Sequence, residues 1–368
     1  MINKNFQIYF DCGFSKIRAG AFNKNNSNKA FFTESKFFFD HTNINLEIQK
    51  MIAFLEENTN EYINDVNLMI DSPKTLSIGI SVCKKIAGPK LRQVDIQFLI
   101  QEAKQQILSN YKDQNIVHII INNYKINDIN YDSLPDEIEC NFISLDILFI
   151  CLPNEIIDYF KSSFQTFDIS INQIACTSYA KTINYTNNFS PNNNALFIDI
   201  GFSKTSIISY INNKIVSIDT LPIGGNHITK DIAKILKIDL FQAENIKLNF
   251  DKAEFLNENN FSIELLQKII FARIEEILEL CRKSVESNLL ISGKFKMVLM
   301  GEGSKILANN HKDKISFSND IDFLEETLED ICQSGFKFKT SLNKQEVVVV
   351  PKKQIKQGFF EKLFHFFE

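Results

Sequence analysis

The sequence predicts an α/β protein made of two related halves, with a further unit inserted in the first. Two observations carry the halves. The stretch Phe10-Asp11-Cys12-Gly13-Phe14-Ser15-Lys16 recurs, nearly letter for letter, as Ile198-Asp199-Ile200-Gly201-Phe202-Ser203-Lys204. Each copy lies between two apolar, β-type runs, and the copies are too far apart for a solenoid repeat. The glycines are also clustered: of 12, six fall in the two Asp-x-Gly turns, the pair Gly224-Gly225 and Gly301/Gly303. Where Gly is scarce, such clustering marks places where the backbone must come close to something. The inserted unit follows from the helix and strand patterns of residues 84–164.

Composition narrows the class. At 368 residues, 44% hydrophobic and 23% charged, the chain reads as a globular protein of two or more domains. A net charge of −5 argues against a nucleic-acid partner. The seven Cys form no CxxC pair and the five His no HExxH, which leaves metalloenzyme chemistry without ligands and points to reduced, buried thiols. Neither a charged-then-apolar leader nor an apolar run of about 18 residues is seen, so neither a signal peptide nor a membrane span is expected.

The elements follow in order. Residues 1–82 are strand-rich, with one helix over Leu46 to Glu57. Val94, Phe98, Leu99, Ala103, Ile107 and Leu108 follow helical spacing. Strands over Ile116 to Ile121 and Leu145 to Leu152, then a helix over Glu155 to Phe167, complete the inserted unit. After a polar loop at Asn184 to Asn194 and the second turn, Asn212-Asn213 joins two strands as a hairpin. Leu221 to Thr229 carries the Gly-Gly pair into a helix over Lys230 to Leu236. A long helix over residues 262–290 precedes a strand, Lys296 to Met300, that runs into Gly301-Glu302-Gly303-Ser304 and a helix from Lys305.

These motifs share one chemistry. A turn of Asp, Gly, Ser and Lys presents N–H groups, a hydroxyl and a cation to one point, which suits phosphate oxygens. Its Asp holds a metal ion through water, so Asp11 and Asp199 are candidate Mg²⁺ positions. Gly13, Ser15 and Lys16 in the first turn, and Gly201, Ser203 and Lys204 in the second, are the candidate phosphate clamps. Gly224 and Gly225 place N–H groups at a helix start, where the dipole favours anions. Glu244 and Lys247 share a helical face and are either a solvated ion pair or, in a cleft, a ribose contact. Gly301, Gly303 and Ser304 complete a strand–turn–helix of nucleotide type.

The last eleven residues form a helical period with one apolar face. Phe360, Leu363, Phe364 and Phe367 stand at i, i+3, i+4 and i+7, widened by Phe359 and Phe366. Such a face either docks on the chain's own core or lies in a membrane interface. Its place after the Pro351-Lys352-Lys353 linker favours the interface.

Two Asp-x-Gly hairpins, a Gly-Gly helix start and a late strand–GxGS–helix resemble the actin, sugar kinase and heat-shock chaperone ATPase superfamily. The run from Asp199 to Leu236, continued by Ala243 to Leu248, is similar to the bacterial cell-division family FtsA, as is Phe10 to Phe22. The resemblance implies an actin-like ATPase fold around a nucleotide cleft, with ATP and Mg²⁺ as cofactors. It implies a first subdomain of residues 1–83 and 165–193 and an FtsA-type inserted subdomain at 84–164. The second subdomain would span 194–245 and 296–345, and an FtsZ-binding-type subdomain 246–295. A linker at 346–357 and a membrane-targeting helix at 358–368 would follow. By the same resemblance the helix with Arg273 receives the FtsZ tail, copies assemble into filaments, and the protein works at the cytoplasmic face of the membrane at the division site. Two alternatives stand beside it: a pilus-assembly scaffold of the PilM type and a sugar kinase. The chain differs from the family at Phe14, in the second turn, and at Glu302, where a Gly is usual. Gln173 is the only amide in the segment Gln173 to Ala180, which offers no acid, so slow or absent ATP hydrolysis is expected.

Overall fold

The computed structural model describes residues 5–26, 29–39, 42–86, 91–135, 139–186, 194–250, 252, 262–287, 295–307, 321–340 and 346–347. Two five-stranded sheets have the same construction. The first runs β3 (Ala30–Glu34), β2 (Ile17–Asn23), β1 (Phe6–Cys12), β4 (Asp65–Ile70), β9 (Ser170–Cys176). The second runs β12 (Lys214–Leu221), β11 (Thr205–Ile211), β10 (Ala195–Ile200), β13 (Lys296–Met300), β14 (Ile321–Phe323). In each the middle strand pairs antiparallel with its hairpin partner and parallel on its other side. Both middle strands are buried on both faces, which is why Phe6 to Phe10 and Ala195 to Ile198 read as apolar, β-type runs. The duplication in the sequence is a duplication of architecture.

Alternation along β10 divides the core. Phe197 packs with Phe10, Leu68, Phe164 and Ala180 in a cluster shared by both halves. Leu196, Ile198 and Ile200 face the other way, toward α5 (Gly225–Leu236), α6 (Leu240–Leu248) and the long α7 (Ile263–Glu286). The Ser262 hydroxyl caps α7 by accepting from Leu265 N at 3.3 Å. Leu266, Ile270, Ile274, Ile277 and Cys281 make its buried stripe. Asn212 and Asn213 take positive φ (50° and 63°), as a two-residue hairpin turn requires.

A third sheet holds β5 (Leu76–Lys85), β8 (Phe142–Pro153), β6 (Gln114–Ile126), β7 (Ile129–Tyr131) and a short β15 (Glu346–Val347). Together with α2 (Gln93–Asn110) it has its own core. Apart from β15, the strands of this sheet lie between Leu76 and Pro153, where the sequence suggested 84–164. The reason is that α3 (Asn154–Gln165) turns its Ile157, Phe160 and Phe164 into the first core. On α2 the buried face is Ile96, Leu99, Ile100, Ala103 and Ile107, while Val94 and Phe98 are exposed.

Two C-terminal features depart from the expected boundaries. The last helix, α8 (Leu328–Thr340), crosses back from the second sheet to cover the first, seating Cys332 with Tyr9 and Phe22. Glu346 and Val347, expected in a linker, pair with β6. The amphipathic segment 358–368 lies outside the described residues. No helix among the described residues is long and apolar enough to cross a membrane.

Candidate functional site

The two turns are superimposable in their bonding. Gly13 N donates to Lys16 O at 3.1 Å, and Gly201 N donates to Lys204 O at 2.9 Å. Each glycine amide thus closes its own turn, and the next residues are carried to the rim of a common cleft. An inner chamber is lined by both turns, by Asp71, by Thr177 and Lys181 of α4 (Thr177–Thr186), and by Gly301, Glu302 and Glu326. It shares Ser15, Lys16, Gly201, Phe202 and Glu302 with an outer chamber of about 740 Å³ that reaches Phe37, Gly225, Glu244, Lys247 and Gly303. That volume is in the range of small-molecule sites.

Charge is balanced inside the cleft by the chain itself. Arg18 Nη1 donates to Asp11 Oδ2 at 3.0 Å, and Thr177 Oγ1 donates to the other oxygen at 3.1 Å. Lys181 Nζ lies 3.0 Å from Asp199 Oδ2 and 2.9 Å from Glu326 Oε2. Lys204 Nζ lies 2.8 Å from Asp71 and also meets the Ser206 hydroxyl. Glu302 reaches across from the second half to Arg18 at 2.7 Å and Lys16 at 3.7 Å. Desolvation pushes the Glu302 carboxyl up, but Arg18 and Lys16 outweigh it and leave it below the usual range. Desolvation dominates at Asp11 and raises its pKa in spite of Arg18 and Lys181.

Two glycines are required sterically. Gly301 has φ +89°, and a Cβ there would strike the Asp199 carboxylate. A Cβ on Gly224 would lie 2.5 Å from Gly201 O. Gly224 therefore serves to seat α5 beneath the second turn, and it does not line the cleft. Gly225 N donates to Gly201 O and Asn226 N to Phe202 O, at 2.9 and 2.8 Å. The first N–H groups of α5 are spent on the turn and not left free for an anion, which corrects the reading from sequence. Ser304 likewise turns inward, its hydroxyl donating to Gly301 O at 2.7 Å. After Gly301 the chain forms a 3-10 helix (Glu302–Leu307), which starts three residues before the helix expected from Lys305.

Glu244 and Lys247 do line the outer chamber, as a buried pair 2.6 Å apart. Lys247 also donates to Gly225 O at 3.2 Å and Thr229 Oγ1 at 2.9 Å. The rim above them is aromatic: Phe37 and Phe39 of the first half pack against Phe202, at 5.4 and 5.8 Å, and Phe39 also meets Phe241.

Does this donor set fit nucleotide and metal? The Ser203 hydroxyl, buried beside the inner chamber, has no hydrogen-bond partner among the described residues, so a phosphate oxygen there would satisfy it. The residues fit a nucleoside phosphate. They do not fit the divalent ion equally well. Both oxygens of Asp11 and one of Asp199 already serve in-chain donors, and no cluster of three His, Cys or acidic side chains suited to a metal occurs among the described residues.

Sequence reasoning missed Arg18, Asp71, Thr177, Lys181 and Glu326. Arg18 was legible in principle, because it faces Asp11 across the hairpin register. Lys181 carried the signal of a lone cation in a helix that is otherwise buried. Gln173 lies on β9 and lines neither chamber. Arg273 is half-buried on α7, gripped by Asp231 at 2.7 and 3.0 Å and by Glu276 at 2.6 Å.

Two like-built halves closed around such a cleft are an actin-like ATPase fold. Solved structures agree. The chain is similar to the PilM-PilN type IV pilus biogenesis complex, with a TM-score of 0.61, 12% identity, and coverage of 91% of this chain and 96% of that one. It is also similar to the ethanolamine utilization protein EutJ from Carboxydothermus hydrogenoformans, at TM-score 0.50, 11% identity, and coverage of 90% and 88%.

Within that class the chain is similar to the cell division protein FtsA. Residues 196–289 match the family model for cell division protein FtsA. FtsA of Streptococcus pneumoniae serotype 2 is 31% identical over 128 residues, 31% of this chain and 28% of that one. FtsA of Agrobacterium fabrum is 22% identical over 242 residues, 60% and 54% of the two chains. FtsA of Buchnera aphidicola subsp. Acyrthosiphon pisum is 24% identical over 355 residues, 83% and 82%. The match thus spans about a quarter of the length of the first of these curated relatives and about half of the second.

Proposed function

We propose that this chain is an ATP-binding, actin-like adaptor of bacterial cell division that tethers FtsZ filaments to the cytoplasmic face of the membrane. The observation that carries this reading is the FtsA family match over residues 196–289, which takes in the second Asp-Gly turn, the Gly-Gly helix start and the helix bearing Arg273. ATP is the ligand the cleft favours, because a small charged inner chamber opens into a larger one with aromatic walls. Turnover is slow in this reading, since Gln173 stands away from the cleft and the nucleotide's role is to set a conformation or a filament. The helix α7 offers Arg273 to the FtsZ tail, with a partner carboxylate taking the place of Asp231. Segment 358–368 supplies the membrane contact, and several tails on one filament bind together more firmly than one alone. The likeness to the PilM–PilN structure, at 12% identity, speaks for the fold and not for a pilus role.

Vesicle co-sedimentation with FtsZ filaments tests the adaptor role as a whole. With ATP and the full chain present, FtsZ enters the vesicle pellet. FtsZ left in the supernatant while the chain itself pellets with vesicles would refute the adaptor function.

A further inference from the structure

The floor of the cleft holds a cation that the duplicated turns do not explain. Lys181 stands on α4, one helical turn after Thr177, and its side chain is 5% exposed. It bridges Asp199 of the second half, at 3.0 Å, and Glu326, at 2.9 Å. Glu326 is fixed in turn by Tyr185, whose hydroxyl donates to Oε1 at 2.8 Å, and by Gly301 N, which donates to Oε2 at 2.6 Å. Desolvation works against the Lys181 charge, but Asp199 and Glu326 outweigh it and raise its pKa. On the opposite wall Arg18 does the same for Asp11.

In a cleft where two carboxylates face a polyphosphate, like charges repel and a divalent ion between them relieves the repulsion. Here both carboxylates already face a cation of the chain, Arg18 at Asp11 and Lys181 at Asp199, the second shared with Glu326. A divalent ion bound directly at Asp11, or at Asp199 Oδ2, would have to displace a guanidinium or ammonium from a buried ion pair, at the cost of leaving that cation unpaired in a site of low dielectric. Side-chain cations thus occupy carboxylate oxygens through which a metal would be held.

We propose that Lys181, clamped between Asp199 and Glu326, takes the place of the divalent cation in this cleft, so that a nucleoside triphosphate binds here without Mg²⁺. The inference rests on the nucleotide reading above and sharpens it.

Calorimetry of the full chain with ATP, once in excess Mg²⁺ and once in excess EDTA, is the test. Wild-type affinity should agree within about threefold between the two conditions. Lys181→Met should lose about tenfold or more in EDTA and recover most of it in Mg²⁺, because Asp199 is then free to engage the metal. Lys181→Met/Glu326→Gln removes one charge of each sign, so it guards against a variant that fails for want of folding, and it should show the same acquired metal dependence. A tenfold loss of wild-type affinity in EDTA overturns the proposal while leaving nucleotide binding intact. No binding of ATP in either condition overturns the nucleotide reading and this proposal with it.

Discussion

The Arg18 guanidinium is 3.0 Å from the carboxylate of Asp11, the residue it faces across the β1–β2 register. Both are buried, so the pair is held in a medium where an unpaired charge is costly. Arg18→Met should destabilise the fold by about 3–5 kcal/mol in urea titrations, since it strands Asp11. Asp11→Asn combined with Arg18→Met should recover most of that loss. A single variant within about 1 kcal/mol of wild type would show that the pair does not act as a buried one.

Ser203 offers the opposite case, a buried hydroxyl without a partner at the inner chamber. Ser203→Ala should leave the melting temperature unchanged, because no bond is lost in the free protein. It should weaken ATP binding by about three- to tenfold, the worth of one hydrogen bond. Calorimetry and a thermal scan on the same sample separate the two effects.

Arg273→Glu should abolish capture of an FtsZ tail peptide in a pull-down, with helical content checked by circular dichroism. The substitution also sets Glu against Asp231, which Arg273 grips in the free protein. Retained peptide binding would remove Arg273 from the contact surface.

Truncation before Gly358 should release the chain from anionic liposomes and leave cooperative unfolding as it was. Phe364→Glu should act in the same direction by placing a charge in the apolar face. Loss of cooperative unfolding on truncation would instead assign the segment to the core.

His227 makes the base of the second turn sensitive to pH. Its Nδ1 accepts from Gly224 N at 3.2 Å, which needs a neutral ring. Desolvation first, then Lys230 and Arg273, hold its pKa below the ordinary value. Since the folded value is the lower one, its contribution is whole above about pH 6.5 and is lost as pH falls from there through the folded value. Thermal unfolding followed from pH 7.5 to pH 5 should show this loss, and His227→Gln should flatten that part of the curve. An imidazole NMR titration at or above about 6.5 would contradict it.

What the sequence made legible was whatever repeats or alternates. The two turns, the Asn212-Asn213 hairpin and the stripe of α7 are local patterns, and each appears where its residues indicated. The salt network was not legible, because Lys181 meets Glu326 only after the chain has passed through the whole second sheet. Val94 and Phe98 follow the helical spacing of α2, yet both are exposed, because tertiary packing turns that helix to bury Ile96 and Ile100. The Gly-Gly pair was read for its exposed amides, yet those amides are consumed by carbonyls brought close by the fold.

The pairs at the cleft floor join residues from opposite halves: Lys181 answers Asp199, and Lys204 answers Asp71. Each half has therefore lent a cation to the other's acid, while α8 returns from the far end of the chain to roof the first sheet. Severed between Thr186 and Asn194, neither fragment would be electrically whole, and the first would also lack its roof. The two halves are alike in shape yet each holds an acid paired with the other's cation, so the duplication reads as a mutual dependence and not as a pair of autonomous domains.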